Sequence, residues 1–130
     1  MTPLRFSMIA AAALLASAGA AAAQDAVAGE QVFRKCKACH QIGENARNMV
    51  GPVLNGVVGR PAGSYPDYRY SDANKNSGVT WDEATLAAYL RNPQAKVPGT
   101  KMTFAGLPSD GDIANVIAYL KQFGPDGRKL

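Results

Sequence analysis

Two cysteines and a histidine stand together in the segment Cys36-Lys37-Ala38-Cys39-His40. They are the only two cysteines and the only histidine of the 130-residue chain. The spacing is that of c-type haem attachment. Two thiols three residues apart on one helical turn can reach the two vinyl groups at one edge of a haem, and the next imidazole then lies over the iron. The segment therefore predicts one covalently bound haem (heme c), attached through both cysteines and ligated by the histidine.

Three other uses of the two thiols agree less well with the sequence. A Cys36–Cys39 disulfide of the thioredoxin type would need a surrounding strand-helix-strand pattern, which is absent. A structural zinc site would need a fourth cysteine or histidine, which the chain lacks. A pair of free thiols is unusual in an oxidising compartment, and the export signal in residues 1–23 predicts that the chain folds in such a compartment.

The first 23 residues have the pattern of an export signal. Arg5 precedes an uncharged, alanine-rich run that ends in three alanines before Gln24. Small residues at this point fit the rule for signal-peptide cleavage, and the run has too few strongly apolar residues to make a good membrane-spanning helix. We expect residues 1–23 to be cleaved near Ala23, and residues 24–130 to form one domain in the periplasm.

The segment that remains after cleavage has few large apolar residues. Of its 107 residues, 21 are Val, Leu, Ile or Phe, whereas 19 are Gly or Pro. A chain this short with so little apolar surface usually needs a disulfide, a metal or a large cofactor to fold stably. A covalently attached haem would supply the missing apolar volume.

The second axial position of the iron cannot be filled by another histidine. His40 is the only histidine, so the other position is left to a methionine, a lysine, a weaker group or nothing. Met49 follows His40 by nine residues and would have to double back around the haem rim at once. Met102 lies 62 residues after His40, in a loop bounded by Pro and Gly, and can approach from the opposite face. The spacing favours Met102 and leaves Met49 open.

Three segments show helical periodicity, and none shows convincing strand alternation. The first helix is predicted over 26–39. The second is predicted from an N-cap at Thr80 to about Asn92, and the third from an N-cap at Ser109 to Gly124. Their apolar stripes contain Val32, Phe33 and Cys36, then Leu86, Tyr89 and Leu90, and finally Ile113, Val116, Ile117 and Leu120.

The rest of the chain is rich in loops, above all residues 51–78, where one helical turn is predicted over 71–75. The expected fold is therefore all-α, with three main helices, short helices and loops wrapped on one covalently bound haem.

An ordered set of short motifs along residues 24–130 resembles class I cytochrome c, a family that includes soluble bacterial electron carriers and mitochondrial cytochrome c. Besides the haem motif, the matching pieces are Gly51-Pro52, Leu54-Asn55-Gly56, Gly59-Arg60, residues 70–76 with Gly78 and Trp81, Tyr89-Leu90, Asn92-Pro93, residues 98–102 and residues 117–121. A short haem motif occurs in many folds, whereas this ordered set is specific. The resemblance implies the small cytochrome c fold.

The resemblance also implies roles for individual residues. Cys36 and Cys39 would carry the thioether bonds, and His40 and Met102 would be the two axial ligands. The backbone at Pro52 would accept the free N–H of the His40 ring, which would raise the basicity of this ligand. Gly29 and Phe33 would pack against Tyr119 where the first and last helices cross.

Polar residues around the haem are implied as well. Tyr89 would donate a hydrogen bond to the sulfur of Met102, and Asn74 and Thr100 would hold a buried water and polar contacts on the same side. The residues implied to bind the haem propionates are Arg60, Tyr70 and Trp81. Packing alone is the other possible role of the aromatic residues, although buried Tyr and Trp normally find a polar partner.

The basic surface is sparse compared with family members that carry a dense lysine ring. Such members have a lysine pair after Asn-Pro, where this chain has Gln94-Ala95, and often a lysine near the position of Pro108. The remaining candidates are Arg34, Lys35, Lys37, Lys96 and Lys101. The formal charge of +4 falls to +3 without the signal and to about +1 with two ionised propionates. Strong electrostatic docking and nucleic-acid binding are therefore not expected.

The function implied by the resemblance is one-electron transfer by a monomeric carrier that is not an enzyme. Its expected partners are redox proteins such as a cytochrome bc complex, a terminal oxidase, a photosynthetic reaction centre or a dehydrogenase, with only transient docking to membrane complexes. A subunit bound permanently to one dehydrogenase is a second possibility. A peroxidase-like enzyme or a gas sensor is the alternative of another class, but it would need an open sixth site and a distal acid–base group.

Overall fold

Five α-helices lie along residues 24–130, the part of the chain that the computed structural model describes. They are α1 (Ala26–Phe33), α2 (Asp72–Lys75), α3 (Glu83–Arg91), α4 (Pro93–Lys96) and α5 (Asp110–Lys121). Extended pairing within this range is limited to two isolated bridges, Pro61 with Thr80 and Phe123 with Lys129. The all-α prediction is therefore confirmed. The export signal predicted for residues 1–23 lies outside the described residues.

The two terminal helices, α1 and α5, pack directly against each other. A Cβ atom on Gly29 would lie 1.9 Å from the carbonyl oxygen of Asn115, so only glycine permits this approach. One turn later, the rings of Phe33 and Tyr119 lie 5.1 Å apart. The backbone N–H of Asp25 donates to Asn115 Oδ1 at 3.0 Å. The predicted contacts of Gly29 and Phe33 with Tyr119 are confirmed.

The first helix is shorter than the sequence predicts. α1 ends at Phe33, and the prediction that it continues to Cys39 is wrong. Beyond its end, the N–H of Lys35 donates to Val32 O at 3.1 Å and that of Cys36 to Phe33 O at 2.8 Å. These three-residue bonds satisfy the last helical carbonyls in a tighter turn. The cysteine motif therefore lies in consecutive turns that follow the helix.

The start of α3 also differs from the prediction. Its N-cap is Asp82, whose carboxylate accepts the N–H of Thr85 at 2.7 Å, and not Thr80. Thr80 is extended because it pairs with Pro61, and next to it the N–H of Trp81 donates to Arg60 O at 2.9 Å. Tertiary pairing has thus displaced a locally reasonable cap by two residues.

The remaining helix ends follow their local signals closely. Ser109 caps α5 by accepting the N–H of Asp112 at 3.2 Å, as predicted, although α5 ends at Lys121, three residues before Gly124. The helical turn predicted over 71–75 is confirmed as α2, capped by Ser71. Asn92 ends α3 as predicted, but it also caps a short helix, α4, that the sequence analysis did not foresee.

The buried side chains come from α1, α3 and α5 and from the loops between them. They include Val32, Phe33, Leu86, Leu90, Val116 and Leu120 on helices, together with Val53, Val57, Val97 and Leu107 on loops. The helices surround one interior region, and the cysteine motif faces this region too. Within residues 24–130 no helix is both long and apolar enough to cross a membrane.

The crossing of α1 and α5 generates a stability prediction. Gly29→Ala should lower the free energy of unfolding by about 1–3 kcal/mol, because the new methyl group overlaps the Asn115 carbonyl and forces the helices apart. The measurement is the guanidinium unfolding midpoint of the purified protein.

Gly111→Ala is the matched control within α5. A Cβ there would meet only Ser109 Oγ, at 3.6 Å, so this variant should be neutral or slightly more stable, since alanine favours helix. Equal effects of the two substitutions would contradict the close approach at Gly29.

Candidate functional site

A cavity of about 290 Å³ lies at the centre of the fold. This volume is many times that of a water molecule and is near the lower end of the range typical of ligand sites. All ten residues that the sequence analysis predicts for the site line it: Cys36, Cys39, His40, Arg60, Tyr70, Asn74, Trp81, Tyr89, Thr100 and Met102. Residues up to 66 positions apart in sequence are thus brought together by the fold.

Much of the cavity wall is apolar. It includes Phe33 from α1, Leu86 and Leu90 from α3, and Val116 and Leu120 from α5. These residues belong to the three apolar stripes predicted from the sequence, whose spacing places them on one face of each helix. The wall suits a large apolar ligand.

The His40 ring is held in one orientation by its neighbours. Its Nδ1 lies 2.7 Å from the carbonyl oxygen of Pro52. Because a carbonyl can only accept, Nδ1 carries the proton and Nε2 keeps a free lone pair. A Cβ on Gly51 would lie 2.3 Å from Cε1 of the ring, so this glycine lets the backbone pass directly beside it. Burial lowers the pKa of His40, which favours the neutral imidazole that a metal requires.

The two candidate methionines have different surroundings. Met102 lies in the cavity wall and is partly buried. Met49 is 44% exposed, lies outside the cavity lining, and accepts a hydrogen bond on Sδ from Gln41 Nε2 at 3.0 Å. Only Met102 is therefore available to a ligand inside the cavity.

A chain of hydroxyl groups holds the sulfur of Met102. Tyr89 donates its O–H to Met102 Sδ at 3.3 Å, as predicted. Because this proton is used, the contact of 3.1 Å between the Tyr89 and Thr100 hydroxyls has Thr100 as its donor. The Thr100 hydroxyl oxygen in turn accepts the backbone N–H of Met102 at 3.4 Å. Burial raises the pKa of Tyr89, which keeps its hydroxyl protonated.

The guanidinium group of Arg60 lies at another part of the cavity wall. Nη1 of Arg60 donates to Asn55 O at 2.9 Å and to Val53 O at 3.3 Å, and Nη2 also donates to Val53 O at 3.3 Å. Its Nε is buried and has no hydrogen-bond partner among the described residues. Burial lowers the pKa of Arg60, while the nearby Tyr70 and Tyr65 act in the opposite direction.

The remaining predicted residues offer polar atoms or flat surfaces. Oδ1 of Asn74 is buried and, within the part of the chain described, lacks a hydrogen-bond partner. The hydroxyl of Tyr70 accepts the N–H of Tyr65 at 3.1 Å. The ring of Trp81 packs against that of Tyr89, with 4.7 Å between their centroids.

The two thiols are free and partly buried. Burial, with a smaller contribution from Cys39, raises the pKa of the Cys36 thiol. Within residues 24–130 no group of three or more His, Cys, Asp or Glu side chains is arranged to hold a metal ion.

Several cavity residues had no predicted role. Gly51 was part of a matching motif, but only the fold shows that it leaves space for the His40 ring. Tyr68 and Phe104 come from loops, where no periodic pattern could have indicated them. Lys101, which was predicted only as part of the basic surface, also lines the cavity, and its ammonium group lies 4.5 Å from the centre of the Tyr68 ring.

The chain is similar to known proteins of one family. The family model for cytochrome c matches residues 26–124. The chain belongs to the cytochrome c family. Cytochrome c2 of Blastochloris viridis is 56% identical over 116 residues, which cover 89% of this chain and 91% of the relative. Cytochrome c2 of Rhodoblastus acidophilus is 61% identical over 107 residues, which cover 82% of this chain and all of the relative.

A solved structure shares the fold. Cytochrome cH from Methylobacterium extorquens aligns with a TM-score of 0.72 and 50% sequence identity, covering 75% of this chain and 98% of the other. As a member of this family, the protein carries one covalent c-type haem and transfers electrons to and from redox partners; it is not an enzyme. Neither a peroxidase nor a gas sensor is supported by these relatives.

The residues of the cavity fit such a group. The apolar wall suits a porphyrin, while an imidazole with a free Nε2 and a thioether sulfur are donors that haem iron accepts. The Nε of Arg60, which no described residue binds, suits a carboxylate at the edge of the porphyrin, since guanidinium and carboxylate form strong charge-assisted bonds.

The hydroxyl chain leads to a stability prediction. Thr100→Val should lower the free energy of unfolding by about 1–3 kcal/mol, because the substitution keeps the side-chain shape and leaves the buried Tyr89 hydroxyl without its donor. Guanidinium unfolding of the holoprotein measures the effect.

Thr103→Val is the matched control, because Thr103 is exposed. It should change the unfolding midpoint little. A Thr100→Val variant as stable as this control would contradict the proposed order of donors.

Proposed function

We propose that Cys36 and Cys39 form the two thioether bonds to the haem and that His40 Nε2 and Met102 Sδ bind its iron. The observation that carries this assignment is that two thiols, an oriented imidazole and a thioether sulfur line the same apolar cavity. When bound, the haem supplies the ferrous–ferric couple that stores one electron. The protein then acts as a one-electron shuttle in the periplasm.

The chain's own contribution to electron transfer is to keep both ligands still. His40 is fixed by the Pro52 carbonyl and by the backbone at Gly51, and Met102 by Tyr89. Ligands that are held by packed backbone and hydrogen bonds move little when the iron changes charge, so electron transfer requires little rearrangement. Methionine ligation and burial both favour the reduced form and raise the potential.

The polar residues of the cavity would bind the outer parts of the haem. Arg60, Tyr70 and Trp81 are proposed to bind the propionates, with the free Nε of Arg60 supporting this role. Asn74, whose Oδ1 also lacks a partner in the described part of the chain, is proposed to hold a buried water or polar contact beside Thr100. Together these groups would compensate charge that an apolar cavity could not hold alone.

Electron exchange is proposed to take place with redox proteins such as a cytochrome bc complex, a terminal oxidase, a photosynthetic reaction centre or a dehydrogenase. Lys35 and Lys101 line the cavity and supply a limited positive charge there. Because the charge is limited, docking would be brief. The carrier is proposed to be a monomer in the periplasm after cleavage near Ala23. No role in nucleic-acid binding is proposed.

The methionine assignment has a direct spectroscopic test. Met102→Ala should abolish the weak sulfur-to-iron absorption band at the red end of the spectrum of the oxidised holoprotein, and it should lower the reduction potential. Both changes follow from loss of the thioether ligand.

Met49→Ala is the matched control, since it removes a methionine outside the cavity. The band and the potential should be unchanged in this variant. Persistence of the band in Met102→Ala, or its loss in Met49→Ala, would show that the iron ligand has been misassigned.

The attachment can be tested separately. Cys36→Ala should lower the yield of covalent holoprotein several-fold in a host that matures c-type cytochromes, because one thioether bond is removed. A pyridine haemochrome spectrum of acid-extracted protein measures the covalent haem. Lys37→Ala, an exposed change between the two cysteines, should give the normal yield; normal attachment in Cys36→Ala would refute two thioethers.

A further inference from the structure

Asn55 is a buried polar residue that joins two loops. The residue is only 6% exposed. Nδ2 donates to Gly43 O at 2.9 Å, and Oδ1 accepts the N–H of Gly43 at 2.8 Å. One amide therefore binds both backbone groups of a residue twelve positions away. The side chain has no role in the proposed haem site and does not line the cavity.

The backbone of the same residue supports Arg60. The shortest hydrogen bond of the Arg60 guanidinium, at 2.9 Å, is to the carbonyl oxygen of Asn55. Its other two, to the carbonyl of Val53, are longer at 3.3 Å. All three bonds use the Nη atoms, so Nε remains without a partner among residues 24–130. The Asn55 carbonyl, together with that of Val53, therefore holds the cation at the cavity wall.

The C-terminal segment closes over this connection from outside. A Cβ on Gly127 would lie 2.2 Å from Gly43 O and 2.7 Å from Asn55 Nδ2. Next to Asn55, the N–H of Gly56 donates to Phe123 O at 3.2 Å. The amide of Asn55 is thus confined between the Gly43 loop and the C-terminal backbone and cannot rotate freely.

A fixed cation beside a haem has a defined electrostatic effect. Ferric haem carries one more positive charge than ferrous haem, so a neighbouring cation disfavours oxidation and raises the reduction potential. Inside an apolar site, screening by water is weak, and a displacement of the guanidinium changes this interaction. A residue that holds the cation in place thereby affects the potential without contact with the haem.

We propose that Asn55 is a positioning residue for Arg60: its amide clamps Gly43, holds the nearer of the two carbonyls that bind the guanidinium, and so raises the reduction potential of the haem. The proposal rests on the proposed function, because it requires a bound haem near Arg60. It adds a residue outside the cavity to the groups that determine the redox properties of the protein.

The test is a set of reduction potentials measured by spectroelectrochemical titration of the holoproteins. Asn55→Ala should have a lower potential than the unmodified protein, and Arg60→Gln should also have a lower one. The double variant should match Arg60→Gln alone, since Asn55 acts only through Arg60. Asn115→Ala is the matched control: it loses an amide bonded to Asp25, away from the cavity, and should keep the original potential.

An unchanged potential in Asn55→Ala would overturn the proposal. Additive shifts in the double variant would overturn it too, because they would mean that Asn55 acts independently of Arg60. An Asn115→Ala shift equal to that of Asn55→Ala would do the same, as it would show a general effect of lost stability.

A second pair of variants applies if Asn55→Ala does not fold. The new methyl group of Gly127→Ala would overlap Gly43 O and Asn55 Nδ2, so this variant should lower the potential. Gly124→Ala should not, because the nearest atom to its Cβ would be Leu130 Cδ2, at 3.2 Å. Equal potentials for these two variants would overturn the proposal. Failure of the proposed function can be distinguished from failure of the Asn55 proposal. If the proposed function were wrong, the unmodified protein would lack covalent haem or the sulfur-to-iron band at the red end of the spectrum.

Discussion

The structure depends on a central apolar cavity that the polypeptide surrounds but does not fill. Helices α1, α3 and α5 each direct apolar side chains toward it, among them Phe33, Leu86 and Val116. A domain with so few large apolar residues gains much of its buried surface from the group that the cavity holds. In the cytochrome c family this group is a covalent haem.

Around that cavity, hydrogen bonds determine the orientation of the two proposed iron ligands. The carbonyl of Pro52 selects the tautomer of His40, and the hydroxyl of Tyr89 holds the sulfur of Met102. Each of these partners is in turn held by backbone: Gly51 lets the chain approach the imidazole, and Thr100 bonds to the Met102 N–H. The rigidity expected of an electron carrier therefore comes from layers of contacts behind the two proposed ligands, His40 and Met102.

Much of the fold could be predicted because its signals are local. The apolar stripes of α3 and α5 and the Ser109 cap depend on residues within one or two helical turns, and these predictions agree with the structure. One error arose where distant pairing competed with a local signal. Thr80 has the sequence pattern of an N-cap, but its pairing with Pro61 moves the cap to Asp82. The other lies after Phe33, where the helical pattern gives way to tighter turns of local, three-residue hydrogen bonds.

The sequence by itself determined the chemistry, because the haem motif needs only five consecutive residues and the family motifs recur in a specific order. It also limited the second ligand to a short set of candidates led by two methionines. Only the tertiary structure decided that Met102 lines the cavity while Met49 faces solvent, and that Asn55 links Gly43 to Arg60. The reason is physical: spacing along a chain restricts which groups can meet, but burial and contact between distant segments exist only once the helices and loops have packed.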